Sequence, residues 1–133
     1  WKGSRSRRLR PRGGAAAAKR LRRTSQTMAH LHRSYDVLLT PTLTTVAPPL
    51  GYLDNDLPAD TMVDHLMRWI AYTPLANAAG TPAITLPLGI DPDSGLPVGM
   101  MFGAAAGEDA RLLELAFELE EASPWPTLGD VAG

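Results

Sequence analysis

The sequence predicts an α/β fold: helices flanking a mixed sheet that this chain does not complete by itself. Three observations carry that reading. Ala83-Ile84-Thr85-Leu86 is a short apolar run between Pro82 and Pro87, and it returns through Val98-Gly99-Met100-Met101-Phe102 after a dense cluster of turn residues, the pattern of a hairpin. Apolar residues at helical spacing flank that hairpin, over Met62–Ile70 on one side and Gly107–Glu121 on the other. Tyr35-Asp36-Val37-Leu38-Leu39-Thr40 has an apolar centre on successive residues, the mark of a strand covered on both faces inside an α/β sheet. A chain of 133 residues, 44% apolar, has material for a modest core but rarely owns such a strand outright. Part of the sheet is therefore expected to lie outside it.

Taken in order, residues 1–14 are a basic head whose low apolar content cannot offset the entropy of ordering, so it is expected to be unstructured. Residues 15–126 form the structured segment, and 127–133 a frayed tail. Ala15 to Ser34 reads as one helix, with strong helix formers first and Leu21, Met28 and Leu31 as a thin apolar stripe. The strand Asp36–Thr40 follows, stopped by Pro41. Thr42 to Asp60 has no periodicity and holds Pro48-Pro49, Gly51 and Pro58, so it is a long loop of the kind that is usually functional or disordered. Met62, Val63, Leu66, Met67 and Ile70 mark a helix running on to Ala79 with a break near Thr73. At that break Thr73 can cap and Pro74 opens the next turn, which Gly80 ends in the left-handed conformation. Ala83–Phe102 is the antiparallel hairpin with Asp91-Pro92-Asp93-Ser94-Gly95 as its turn. In the final helix Leu112, Leu113, Leu115, Ala116, Phe117 and Leu119 make a wide apolar face, and Pro124 and Pro126 stop it.

NAAGTPAITLPLG followed by GLPVGMMFG and a helix, with YDVLLTPTL upstream, resembles the C-terminal part of the amidase signature family. The resemblance runs from Tyr35 to Trp125. It implies a carboxamide C–N hydrolase fold, of which this chain supplies sheet and pocket wall. The family's Ser–cis-Ser–Lys triad belongs upstream of everything present here, so the resemblance assigns no catalytic residue. It also places the Thr42–Asp60 loop along the substrate cleft. Leu43, Val46, Leu50, Tyr52 and Leu53 then become candidate wall residues for an apolar acyl or amine group, beside the simpler reading that they pin the loop to the core. Asn77, where the family motif has its Asn, is read as buried and structural first, tying loop backbone to the strand entrance, and substrate-adjacent second.

The residues agree with the lack of a triad. Serine hydrolysis needs an activated nucleophile, its base and an oxyanion site. None of Ser4, Ser6, Ser25, Ser34, Ser94 and Ser123 lies in a Gly/Ser-rich context, and the only lysines are Lys2 and Lys19. His30 and His32, two apart on a helix, do not share a face and so do not chelate one ion. His65 flanks its helix with nothing in sequence to orient it. No metal and no cofactor is expected. Without Cys there is no thiol or disulfide chemistry, and no apolar run approaches the roughly 20 residues needed to span a bilayer. A cytoplasmic location is the default expectation.

Charge is strongly divided. Residues 1–35 hold 11 of the 13 basic side chains and no acid, whereas residues 36–133 hold two basic and 14 acidic ones. Arg5, Arg7, Arg8, Arg10 and Arg12 suit phosphate neutralisation, but no aromatic interleaving or reading motif accompanies them. Three functions stay open in descending order. The first is an amidase segment, whose small-molecule amide partner requires the rest of the domain. The second is a non-catalytic scaffold or binding remnant, pairing or self-associating through a sheet edge. The third is a basic-arm nucleic-acid binder.

Overall fold

The computed structural model describes residues 11–126. Most of the basic head and the whole 127–133 tail lie outside the described residues. The elements run α1 (Pro11–Leu31), β1 (Val37–Pro41), α2 (Ala59–Trp69), α3 (Pro74–Ala79), β2 (Ala83–Ile90), β3 (Pro97–Ala104) and α4 (Asp109–Ala122). The first helix starts four residues before the expected Ala15 and stops three before Ser34. It begins at a Pro, whose fixed φ suits a first helical position.

The hairpin forms as the turn chemistry dictates. The Asp91 carboxylate accepts the Ser94 backbone N–H at 2.9 Å, and the Gly95 N–H donates to the Asp91 carbonyl at 2.8 Å. Gly95 sits at φ +70°, a conformation that costs a glycine little. β2 and β3 then pair antiparallel from Ala83 opposite Gly103 to Ile90 opposite Pro97, with an irregularity between Leu86 and Gly89 where Pro87 cannot donate to a ladder. β1 pairs antiparallel on the other side of β3, Val37 opposite Ala104 and Pro41 opposite Met100. The sheet order is β1-β3-β2.

This corrects one expectation. β1 reads as an interior strand, yet it is an outer strand of the described sheet and Leu39 is 52% exposed. The central strand is β3, which carries buried Met101, Phe102 and Ala104. Alternation along β3 sends Phe102 and Ala104 to one face and Met101 to the other.

α4 covers the first face. Its Leu112 packs with Leu86, Phe102 and Ala104, and Val37, Ile84, Met100, Leu115 and Leu119 close around them. Burying a Leu side chain of this kind contributes about 1.5–3 kcal/mol. The helix is narrower in its burial than its sequence suggests: Leu113 and Phe117 are exposed, at 53% and 70%. Arg111 ties the start of α4 to the approach to β1, with Nη1 2.6 Å from Asp36 and Nε 2.9 Å from Glu108. The Glu108 hydrogen bond and charge, then the Asp36 charge, raise the Arg111 pKa above its already high ordinary value.

On the opposite face α1 packs against α3. Buried Met28 and half-exposed Leu75 lie over Leu38, Thr40, Met101 and Gly103, around a cavity of about 80 Å³. The break between α2 and α3 falls at Thr73, as the sequence requires, but Thr73 does not cap. Its backbone is already helical, and its hydroxyl donates back to the Ile70 carbonyl at 3.3 Å. Gly80 closes α3 at φ +70°.

Candidate functional site

The long loop after β1 leaves the sheet under tight control. The Thr42 N–H donates to the Gly99 carbonyl at 2.9 Å, and the Thr42 hydroxyl donates to the Thr85 hydroxyl at 3.1 Å, so the first loop residue after β1 and a residue of β2 meet over the central strand. Only a glycine permits that meeting. A Cβ at position 99 would lie 2.9 Å from Thr42 Oγ1 and 3.0 Å from Thr85 Cγ2.

Two residues later the loop is fastened to the end of α2. The Thr44 N–H donates to the Trp69 carbonyl at 3.1 Å, and the Thr44 hydroxyl donates to the Arg68 carbonyl at 2.8 Å. These are carbonyls of the last helical turn, which have no partner within the helix. A second fastening lies at Tyr52, whose carbonyl accepts from His65 Nδ1 at 2.8 Å. The Tyr52 and His65 rings also stack, with centroids 4.3 Å apart and planes 8° from parallel. The expectation that nothing orients His65 is thereby corrected: a residue thirteen positions upstream does.

Between these fastenings the chain arches over two clefts. One, of about 360 Å³, lies between Thr44–Pro49, Tyr52 and the Arg68-Trp69 end of α2. The other, of about 370 Å³, lies between Pro41, the same loop, Trp69 and Pro97-Val98-Gly99 of β3. Trp69 lines both, and its indole Nε1 is buried without a hydrogen-bond partner. Trp69 falls inside the helix that the spacing of Met62 to Ile70 marks, and nothing in that spacing singles it out as a site residue.

The candidate wall residues scatter on inspection. Leu43 lines the second cleft, Tyr52 the first, and Val46 both. Leu53 is half-buried but lines neither, and Leu50 projects fully into solvent. Asn77 is exposed on α3, which corrects the reading of it as a buried amide. His32 falls just beyond the end of α1, where its Nδ1 donates to the Tyr35 carbonyl at 3.1 Å and its Nε2 is buried without a partner. No group of three or more His, Cys, Asp or Glu among the described residues is placed to hold a metal ion. Among them too, no helix is long and apolar enough to cross a membrane.

The family model described as Amidase matches residues 8–113. The chain belongs to the amidase family. Among curated relatives of this amidase-family chain, AmiC of Mycobacterium leprae, an amidase by name, is 54% identical over 111 residues, 82% of this chain and 23% of that protein. The 6-aminohexanoate-cyclic-dimer hydrolase of Pseudomonas sp. strain NK87 is 37% identical over 97 residues, 68% of this chain and 20% of that one. A solved structure of 6-aminohexanoate cyclic dimer hydrolase superposes with a TM-score of 0.73 at 30% identity, covering 88% of this chain and 26% of the other. The chain thus spans about a quarter of the length of the relatives it matches.

Two of the described serines of this amidase-family chain bond within their own local elements. Ser25 on α1 donates to the Leu21 carbonyl, and Ser94 bonds the Asp91 carboxylate in the hairpin turn. Lys19 is exposed on α1. Ser4, Ser6 and Lys2 lie outside the described residues.

Proposed function

We propose that this chain is the C-terminal segment of an amidase-family hydrolase acting on carboxamide C–N bonds, contributing sheet and pocket wall but no member of the catalytic triad. The observation that carries the reading is the arched loop. Two independent fastenings to α2 hold Leu43, Val46, Tyr52 and Trp69 around clefts whose size suits small ligands and whose lining is mostly apolar. Such a wall holds the apolar part of an amide by burial and leaves the chemistry to groups elsewhere. An amide carbonyl is a poor electrophile, and without an activated hydroxyl and aimed donors its hydrolysis barrier stays close to that in water. Leu50, Leu53 and Asn77 are not proposed as wall residues.

The test is a graft. The matching segment of 6-aminohexanoate cyclic dimer hydrolase is replaced by this chain, and hydrolysis by the folded hybrid is followed. The expected result is retained turnover with an altered KM, and Trp69→Ala in the graft raises KM further while kcat changes little. A folded hybrid that binds substrate but never turns it over, or a Trp69→Ala graft with unchanged KM, counts against the wall role.

Pairing through a sheet edge is less well supported. β1 and β2 are the outer strands of the described sheet, and Pro41 and Pro87 lie in them, a residue type that works against added pairing at sheet edges.

A further inference from the structure

The stacked pair Tyr52–His65 carries more than the fastening it supplies to the loop. A carbonyl oxygen only accepts, so the 2.8 Å contact to Tyr52 requires a proton on His65 Nδ1. The neutral ring is therefore fixed in one tautomer with Nε2 as its lone-pair nitrogen, and a protonated ring keeps the same bond. The near-parallel stack at 4.3 Å adds a second, independent restraint on the same residue. Both restraints act on Tyr52, at the far end of the arch from the Thr44 fastening, and the cleft of about 360 Å³ lies between the two ends. Hydrogen bonds within the loop near Tyr52 are local, Tyr52 N–H to the Pro49 carbonyl at 3.2 Å, Asp54 N–H to the Gly51 carbonyl at 3.3 Å and Asp56 N–H to the Asp54 carboxylate at 3.0 Å, so none of them fixes the span of the arch.

We infer that His65 is a positioning residue: through Tyr52 it sets the width of the arch, and the cleft so formed takes the apolar chain of an amide between Val46, Pro48 and Trp69. The inference rests on the wall reading above for its ligand, and on the geometry of the latch alone for the role of His65. A preorganised cleft binds by avoiding the ordering of its own loop, so loss of the latch appears as weaker binding without loss of fold.

The full chain, isotopically labelled, tests both halves. Long-range proton–nitrogen correlations of His65 should show a protonated Nδ1. Backbone amide exchange at Tyr52 and Asp54 should quicken at least tenfold in His65→Ala, while Met101 and Phe102 on the central strand keep their protection. Hexanamide should shift the Val46 methyls and the Trp69 indole, whereas acetamide, too short to fill the cleft, should not. His65→Ala should weaken the hexanamide response about tenfold, the equivalent of 1.4 kcal/mol. His65→Asn, whose amide N–H can reach the same carbonyl, should recover part of that loss, and His65→Phe, which keeps only the stack, should recover less. A His65→Ala chain with unchanged Tyr52 and Asp54 exchange overturns the latch, whatever the ligand does. If the unaltered chain shows no hexanamide response, the apolar-cleft half is overturned, and the exchange data still decide the latch. An Asn variant no better than Ala, with a Phe variant fully restored, overturns the hydrogen bond as the operative restraint.

Discussion

Gly99→Ala tests the tightest packing in the molecule. In most strands the change is favourable, because alanine gives the unfolded chain less freedom to lose; the gain is about 0.5–1 kcal/mol. Here the new methyl meets Thr42 Oγ1 at 2.9 Å, Thr85 Cγ2 at 3.0 Å and Thr42 Cβ at 3.3 Å. Both neighbours are β-branched and stiff about χ1, so neither withdraws freely. Thr42 can rotate away only by giving up its hydroxyl bond to Thr85, a loss of about 1 kcal/mol. Moving the Thr85 methyl or the strand itself adds an overpacking cost of about 1–3 kcal/mol. Set against the alanine gain, the net destabilisation is about 1–3 kcal/mol.

Urea unfolding followed by far-ultraviolet circular dichroism reads this directly as a shift in midpoint at constant slope. A double-mutant design isolates the cause. In a background of Thr42→Ala with Thr85→Ser, which removes Oγ1 and Cγ2, Gly99→Ala should become neutral or mildly stabilising, a coupling of about 1–3 kcal/mol. A neutral Gly99→Ala in the unaltered chain, or the same cost in both backgrounds, refutes the crossing of the two threonines over the central strand.

Further outcomes follow from the same geometry. Gly103→Ala should be neutral or stabilising by up to about 1 kcal/mol, because its nearest neighbours, the Pro82 and Leu38 carbonyls, stand at 3.8 and 3.9 Å; thermal melting checks it. Leu112→Ala, which empties the centre of the α4 contact at 3% exposure, should cost about 2–5 kcal/mol or leave the chain unfolded by circular dichroism. The isolated chain should hydrolyse no simple amide, and Lys19, Ser25, Ser34 or Ser94→Ala should change nothing; amide turnover lost with any one of them would relocate the active site into this chain. Sedimentation should show concentration-dependent association that Phe117→Ser or Leu39→Lys lowers, because both side chains expose large apolar area.

How much of this was legible in the sequence depends on how far apart the interacting residues lie. The hairpin was readable because its causes are local: Asp91, Ser94 and Gly95 satisfy one another within five residues. The same holds for Gly80 ending α3 and for the helical spacing of α2. The Tyr52–His65 latch was not readable, because a stack across thirteen residues depends on where α2 lies against the loop. Nor was Gly99, whose requirement comes from Thr42, just past β1, and Thr85 on β2. Trp69 looked like one more apolar residue in a helix, and only the arch around it turns it into a shared wall of two clefts.

The failures of the burial pattern point one way. Leu39, Leu113 and Phe117 each sit where periodicity demands cover, and each is at least half exposed. Local pattern records what a side chain is selected to meet, whereas the observed burial records what these residues supply. The two agree at Leu86, Phe102 and Leu112, where β2, β3 and α4 provide the buried residues of the core and Val37 and Trp125 pack against it. They disagree on the outer strand β1 and on the outward face of α4, whose partners these residues do not provide. That division argues for a centre in the β2–β3 hairpin with α4 that the described residues largely close, and for outer surfaces whose apolar side chains lack cover among them.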